Sequence, residues 1–471
     1  MVFSSLEFLF RFLPLFLIVY YLTPQKYRNV TLFAGSILFY TIGEAMYSIL
    51  LLASVLVNYI LGRCMYRREE EKGRKQVILL TLAMCFDFGM LFFFKYSAFV
   101  AENINVIIGK LTGNAGVLPV VEQALPLGIS FYTFQIAAYV IDVYRKKIKA
   151  EDSLICLGTY LTMFPQLIAG PIINYTEVSH CLKKRHVTAM DFEDGLKTLT
   201  IGLAAKVIVA DRIGTLWNSI QMIGFESIST PLAWMGAFAY SIQLYFDFSG
   251  YSMMAIGLGK MLGFQIPVNF DHPYISKSIT EFWRRWHITL GRWFREYVYI
   301  PLGGNRKGKP RMIFNLIVVW LLTAIWHGAG WNFVLWGVVL VSFMMLEKLF
   351  LLRYLEKSKV LSHIYLILLV PVTWVIFAIT DMGQLGTYLG RMFPFFTKSG
   401  VTINRLDYLK YFKDYWYLFG IGILFSSPYP SVLYRVFQKK RMETLAVAVL
   451  FWISIYYLAI SANNPFLYFN F

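Results

Sequence analysis

The chain has 471 residues, of which 58% are hydrophobic, 18% aromatic and only 15% charged. Mean hydropathy is +0.56, more apolar surface than a water-soluble fold needs, and apolar runs long enough to span a bilayer recur from end to end. The net charge of +17 would suggest nucleic acid in a soluble protein, but the cations here cluster between apolar runs, as cytoplasmic loops do, and so read as topology and inner-leaflet contact.

The fold class expected is an all-α polytopic membrane protein, since a β-barrel would show short alternating segments. Predicted spans are 6–22, 30–43, 45–62, 77–95, 121–143, 154–173, 196–213, 231–262 (two segments or one with a break), 312–326, 329–351, 361–380, 412–426 and 444–461. About eleven of these are expected to cross fully, the short ones being tilted or re-entrant. Residues 1–22 lack a basic leader and a small-residue cleavage site and read as a first span. Lys26 and Arg28 follow the first span. Arg63, Arg67, Arg68, Lys72, Arg74 and Lys75 follow the third, and Arg145, Lys146, Lys147 and Lys149 the fifth. Odd-numbered spans are therefore expected to end in the cytoplasm, with the N-terminus outside. Glu69 to Glu71 read as a short solvated loop. No repeat of fixed period and no duplicated half is evident, which disfavours a transporter built from inverted repeats. No linker separates domains, so 1–471 is expected to form one integral membrane domain. Cys64, Cys85, Cys156 and Cys181 show neither CxxC nor zinc spacing, against a disulfide scaffold or a metal site.

Polar groups and helix breakers inside the apolar runs mark the candidate chemistry. Pro126-Leu127-Gly128 and the run from Phe164 to Pro171 predict unwound backbone, which is tolerated at membrane depth only inside protein or along a cavity. Asp247, within Tyr245-Phe246-Asp247-Phe248-Ser249-Gly250-Tyr251, is a buried carboxylate that requires a partner: an arginine of 284–295 or a histidine that it would orient. Residues 275–300 predict an amphipathic helix in the membrane interface, with Ser278 and Glu281 as a capping box. Ile279, Trp283, Trp286, Leu290, Trp293 and Tyr297 fall on one face, and Lys277, Glu281, Arg284, Arg285, Arg292 and Arg295 on the other. His287 falls on the border, with a catalytic or positioning role and a structural one evenly matched. The basic, glycine-rich run from Pro301 to Pro310 reads as a cytoplasmic loop first and a phosphate cradle through Lys307 second.

His327 stands in Ile325-Trp326-His327-Gly328-Ala329-Gly330-Trp331-Asn332, between two apolar runs. An ionisable group at that depth suggests function, and a neutral imidazole held away from water suits acyl transfer to a hydroxyl. A helix-packing histidine is the other reading. His180, His186, His272 and His363 lie in polar or connecting stretches and are assigned no role.

Taken together, several stretches resemble the membrane-bound O-acyltransferase (MBOAT) family, above all the bacterial branch that contains the alginate O-acetylation membrane protein. They are residues 1–5, PLGISFYTFQ at 126–135, FPQLIAGPI at 164–172, YFDFSGYS at 245–252, EFWRRWHITL at 281–290, YIPLGGNR at 299–306, WHGAGWNFVLWG at 326–337 and the stretch 464–471. Met253 departs from the acidic residue that many relatives carry there. The resemblance implies tilted, re-entrant and interfacial helices around a thin pore-like centre in a bacterial cytoplasmic membrane. It maps the family's intramembrane histidine onto His327 and its second histidine onto His287.

The leading expectation is an O-acyltransferase that moves an acetyl group from a cytosolic thioester, acetyl-CoA, towards an extracellular carbohydrate, with no tightly bound cofactor or metal. His327 would act as general base or acyl relay. Asn332, the Trp331 indole and backbone N–H groups near Gly328 would hold the oxyanion, and His287 would position the thioester. Arg284, Arg285, Arg306 and Lys307 are candidates for the donor's phosphates. The partners expected are the bilayer, the polysaccharide acceptor or a separate extracellular acetyltransferase, and no nucleic acid. D-alanyl transfer to teichoic acid from an acidic carrier protein and peptidoglycan O-acetylation are alternatives within the same fold. A transporter without acyl chemistry is the alternative outside it.

Overall fold

An apolar chain in lipid must satisfy its own N–H and C=O groups, which an α-helix does within one segment. The computed structural model describes residues 2–67, 73–114, 116–395, 404–439, 442–461 and 466–467, and these form helices, turns and loops with no strand. The Glu69–Glu71 loop and most of the stretch 464–471 lie outside the described residues. Six helices are long and apolar enough to cross a membrane: Ser48–Tyr66, Arg74–Thr112, Gly308–His327, Trp331–Leu355, Lys359–Ala378 and Glu443–Ile460. Arg74–Thr112 is 39 residues long, twice the 77–95 run read from hydropathy, because its second half carries Glu102, Asn103, Asn105 and Lys110. The protein is thus an all-α membrane protein.

Two compact units are present, one of Met1–Leu196 with Ala255–Pro267, the other of Lys197–Met254 with Val268–Phe471. In the first, both expected breaks form. Helix Leu154–Thr162 stops before Met163, and a single turn, Phe164–Leu167, follows. Helix Ile129–Tyr144 begins only after Gly128, at φ +74. The breaks meet: a Cβ on Gly128 would lie 2.5 Å from the Leu167 carbonyl oxygen, so glycine is required both by the dihedral and by the close approach. Side chains supply hydrogen bonds to the unwound backbone. Tyr40 donates its hydroxyl to the Leu127 carbonyl (3.0 Å), and Ser36 Oγ accepts the Phe164 N–H (3.1 Å).

The second unit holds every candidate site residue. Residues 231–262 form one unbroken helix, Thr230–Leu262, rather than two segments or a broken one. Its single proline, Pro231, lies in the first turn, where a missing N–H costs nothing. Helices Gly308–His327 and Trp331–Leu346 form a tight hairpin through Gly328-Ala329-Gly330. Small residues allow the close approach: a Cβ on Gly337 would lie 2.7 Å from the Ala324 Cβ and 3.0 Å from the Trp320 carbonyl oxygen.

The amphipathic stretch at 275–300 departs from expectation. It is not one helix but two short ones, Ile279–Arg285 and Ile288–Phe294, broken at Trp286-His287, with His287 at φ +45, ψ +54. The predicted N-cap is present, Ser278 Oγ accepting the Glu281 N–H at 3.0 Å. The Glu281 carboxylate, however, accepts from the Lys277 N–H rather than closing the box on Ser278. A second carboxylate secures the same start: Glu347, 1% exposed, accepts the N–H groups of Ile279 (2.6 Å) and Thr280 (2.9 Å), the Thr280 hydroxyl (2.6 Å) and the Tyr365 hydroxyl (3.1 Å).

Two substitutions test this scaffold. Gly337→Val overpacks the hairpin and should cost about 1–3 kcal/mol, read as a lower thermal midpoint in detergent. Glu347→Gln turns an amide N–H2 towards donors and should cost about 1–3 kcal/mol, whereas a midpoint equal to wild type would show that the four hydrogen bonds contribute nothing.

Candidate active site

His327 ends helix Gly308–His327 because Gly328, in an extended conformation, and Gly330 release the chain into the turn. The ring is buried, at 4% exposure, in a box of aromatic edges. Its centroid lies 5.1 Å from Trp336 and 5.2 Å from Phe377, both nearly perpendicular, and 4.9 Å from Trp326. Perpendicular contacts put ring edges against ring faces, the arrangement favoured by the aromatic quadrupole. Trp326 also stands 6.0 Å from the His287 ring, and Phe248 approaches that ring edge-on at 4.7 Å. Trp326 therefore bridges the two histidines.

Indole donors in this chamber lack an acceptor among the described residues. The indole N–H groups of Trp336, fully buried, and of Trp283, whose ring packs 5.4 Å from Trp336, make no hydrogen bond. An indole nitrogen can only donate, and a buried unpaired donor costs about 1–3 kcal/mol. Such a donor pair suits an acceptor oxygen brought by a ligand.

His287 is 2% exposed. Its left-handed backbone conformation costs a residue with a side chain about 1–3 kcal/mol and persists only where the surroundings over-determine it. Asn269 holds it: Asn269 Oδ1 lies 3.2 Å from His287 Nδ1 and accepts the Thr289 N–H (3.1 Å) and hydroxyl (2.9 Å), while the Asn269 carbonyl accepts the Ile288 N–H (2.9 Å). Burial pushes the His287 ring well below the usual imidazole range, to about 3, against the smaller opposing effect of a backbone hydrogen bond. The ring is neutral at physiological pH.

Asp247 finds its partner in Lys206, at 2.6 Å, rather than in an arginine of 284–295 or a histidine. Lys206 also pairs with Asp211 at 2.6 Å, and the second oxygen of Asp247 accepts the Leu467 N–H at 2.8 Å. A buried carboxylate needs a cation of matching depth, and Lys206 is 3% exposed. The chain neighbour of Asp247, Phe248, contacts the His287 ring. Asn332, fully buried, donates its amide N–H groups to the carbonyls of Ile376 (3.4 Å) and Phe377 (2.9 Å). These are among the last carbonyls of helix Lys359–Ala378, which have no helical donor. Asn332 thus positions Phe377 against His327. Trp331 is 55% exposed.

Among the basic candidates, Arg284 is exposed, whereas Arg285 is engaged by Asp271 (3.2 Å) and Glu281 (3.0 Å). Arg306 and Lys307 are exposed on the glycine loop. In that loop the N–H groups of Gly303, Gly304 and Arg306 donate to the carbonyls of Ile300, Tyr299 and Gly303, so the backbone closes on itself and does not present an anion cradle. Sequence reasoning missed Lys206, Asn269, Trp283, Trp336 and Glu347. For Lys206 a signal existed, a lone cation in the apolar run 201–210.

Comparison with known proteins agrees with this architecture. Residues 37–389 match the membrane-bound O-acyltransferase family. The chain is 36% identical to a probable alginate O-acetylase of Azotobacter vinelandii over the full length of both. It is 30% identical to a peptidoglycan O-acetyltransferase of Helicobacter pylori, over 100% of this chain and 98% of that one. A teichoic acid D-alanyltransferase of Bacillus subtilis is 31% identical over 45% of this chain and 56% of its own. With a family match over most of its length and two buried histidines in one aromatic chamber, this chain belongs to the membrane-bound O-acyltransferase family and is an acyltransferase.

Proposed function

We propose that the protein transfers an acetyl group from acetyl-CoA on the cytosolic side to a hydroxyl of an extracellular or cell-wall polysaccharide, directly or through a separate extracellular acetyltransferase. The observation that carries this reading is the buried chamber in which Trp326 touches both imidazoles beside the Trp336 and Trp283 indole donors, which have no acceptor among the described residues. The group transferred follows the relatives. The two matched along essentially their whole length are named for O-acetylation, whereas the D-alanyltransferase match covers 45% of this chain. The setting proposed is a bacterial cytoplasmic membrane, with the N-terminus outside.

In this scheme His327 takes the proton of the acceptor hydroxyl as its oxygen bonds to the acyl carbon. The indole N–H groups of Trp336 and Trp283 donate to the oxyanion that forms, taking the part first given to Trp331 and Asn332. The carbon–sulfur bond then breaks, and the proton passes from His327 to the departing thiolate. Fixed donors in a buried site need no reorganisation as charge develops, the largest catalytic contribution in many acyl transfers. His287 holds the donor from the cytosolic side. Arg284, Arg306 and Lys307, exposed on the same unit, meet the donor's phosphates.

Purified protein in nanodiscs with radiolabelled acetyl-CoA tests the reading. His327→Ala should lower turnover by roughly 10²–10⁴-fold with normal folding, and equal turnover would remove His327 from the mechanism. Trp336→Phe keeps a ring but deletes the N–H, and kcat should fall about 10²-fold with the donor KM unchanged. A label transferred only from a D-alanyl carrier protein would replace acetyl-CoA as donor.

A further inference from the structure

We propose that Asn269 is the positioning residue of His287, holding the imidazole in the tautomer that carries its proton on Nδ1 and its lone pair on Nε2. The catalytic meaning of this assignment rests on the acyl-transfer reading above, while the tautomer itself does not.

One oxygen fixes the tautomer. Asn269 is 1% exposed, and its Oδ1 is approached by three groups: the Thr289 N–H, the Thr289 hydroxyl and His287 Nδ1. A backbone N–H can only donate, so the amide atom facing it is the oxygen and not the nitrogen. That oxygen carries no hydrogen and cannot donate to Nδ1. The hydrogen between Asn269 and His287 therefore belongs to Nδ1, and in a neutral ring the lone pair is on Nε2.

The same residue sets the main chain. His287 is held left-handed at φ +45, and the two N–H groups that follow it, of Ile288 and Thr289, both donate to Asn269, one to its carbonyl and one to its side chain. Asn269 thus clamps the strained backbone and the ring together. An amide accepts from Nδ1 without adding charge, whereas a carboxylate there would draw a second proton onto the ring. The charged and titratable groups on the packed elements are otherwise engaged or distant in role. Asp247, one residue before Phe248, is paired with Lys206. Arg285 is paired with Asp271 and Glu281, and His327 adjoins Trp326. His287 therefore meets its substrate as a hydrogen-bond acceptor through Nε2. It receives an N–H or O–H of donor or acceptor and does not donate to the thioester carbonyl.

Nitrogen-15 NMR of histidine-labelled protein in nanodiscs reads the tautomer directly, with the His287 signals identified by their loss in His287→Gln. The expected wild-type spectrum has a protonated Nδ1 and an unprotonated Nε2, and Asn269→Ala should give a mixed population. Asn269→Asp keeps the acceptor for Thr289 and for Nδ1. It should raise the protonation pH of His287, and with it the acid limb of kcat/KM, by about 1–3 pH units; this variant carries the test if Asn269→Ala does not fold. A protonated Nε2 in wild type, an unchanged tautomer in Asn269→Ala, or an Asn269→Asp pH profile that superimposes on wild type would overturn the assignment. The expected spectra combined with no thioester turnover in wild type would support the assignment and overturn the acyl-transfer reading instead.

Discussion

A left-handed residue in the middle of a helical arm strips the following N–H groups of their helical acceptors, and in surroundings poor in water each must find another. The second unit is organised around that requirement. Asn269 accepts from the residues after His287, Ser278 and Glu347 accept from the first turn of the preceding helix, and Asn332 supplies donors to the end of helix Lys359–Ala378. Most of the buried polar side chains near the site thus serve the backbone. The cost of an unsatisfied main-chain group, of order a kcal/mol or more, keeps the two short helices, and hence His287, in one place. Among the described residues, the indole N–H groups of Trp283 and Trp336 find no acceptor.

Aromatic packing does the rest. The edges of Trp336, Phe377 and Trp326 around His327, and of Phe248 and Trp326 around His287, fix ring planes and bury both imidazoles. Burial strengthens every remaining hydrogen bond, which is what a site built on a few neutral donors and acceptors requires. The buried charges of Lys206, Asp211 and Asp247 form a cluster of their own, where opposite charges and the Leu467 N–H compensate burial.

Much of this was legible in the sequence. Hydropathy shows the helices, since apolar runs of spanning length admit little else. Glycine and proline mark the breaks at 126–128 and 164–171, because dihedral and steric limits act locally. His327 stands out as an ionisable group in an apolar run. The break at His287 was not legible. Trp283, Trp286, Leu290 and Trp293 keep helical spacing across it, because the two short helices bury the same side, and periodicity does not register one reversed dihedral. Asp247 announced its need for a partner but not which one, since Lys206 lies on a different helix. Asn269 and Glu347 left no local trace, as their work is done for residues brought near only by folding.

The long helix Arg74–Thr112 has a consequence for the bilayer itself. At 1.5 Å per residue its 39 residues extend about 58 Å, almost twice the roughly 30 Å of a hydrocarbon core. Its apolar first half is enough to fill that thickness. The half beyond Lys95, with Glu102, Asn103, Asn105 and Lys110, either projects past the headgroups as a stiff post or forces the whole rod to lean. Membrane thickness, through lipid chain length, is therefore a physical variable to which this protein is mechanically coupled.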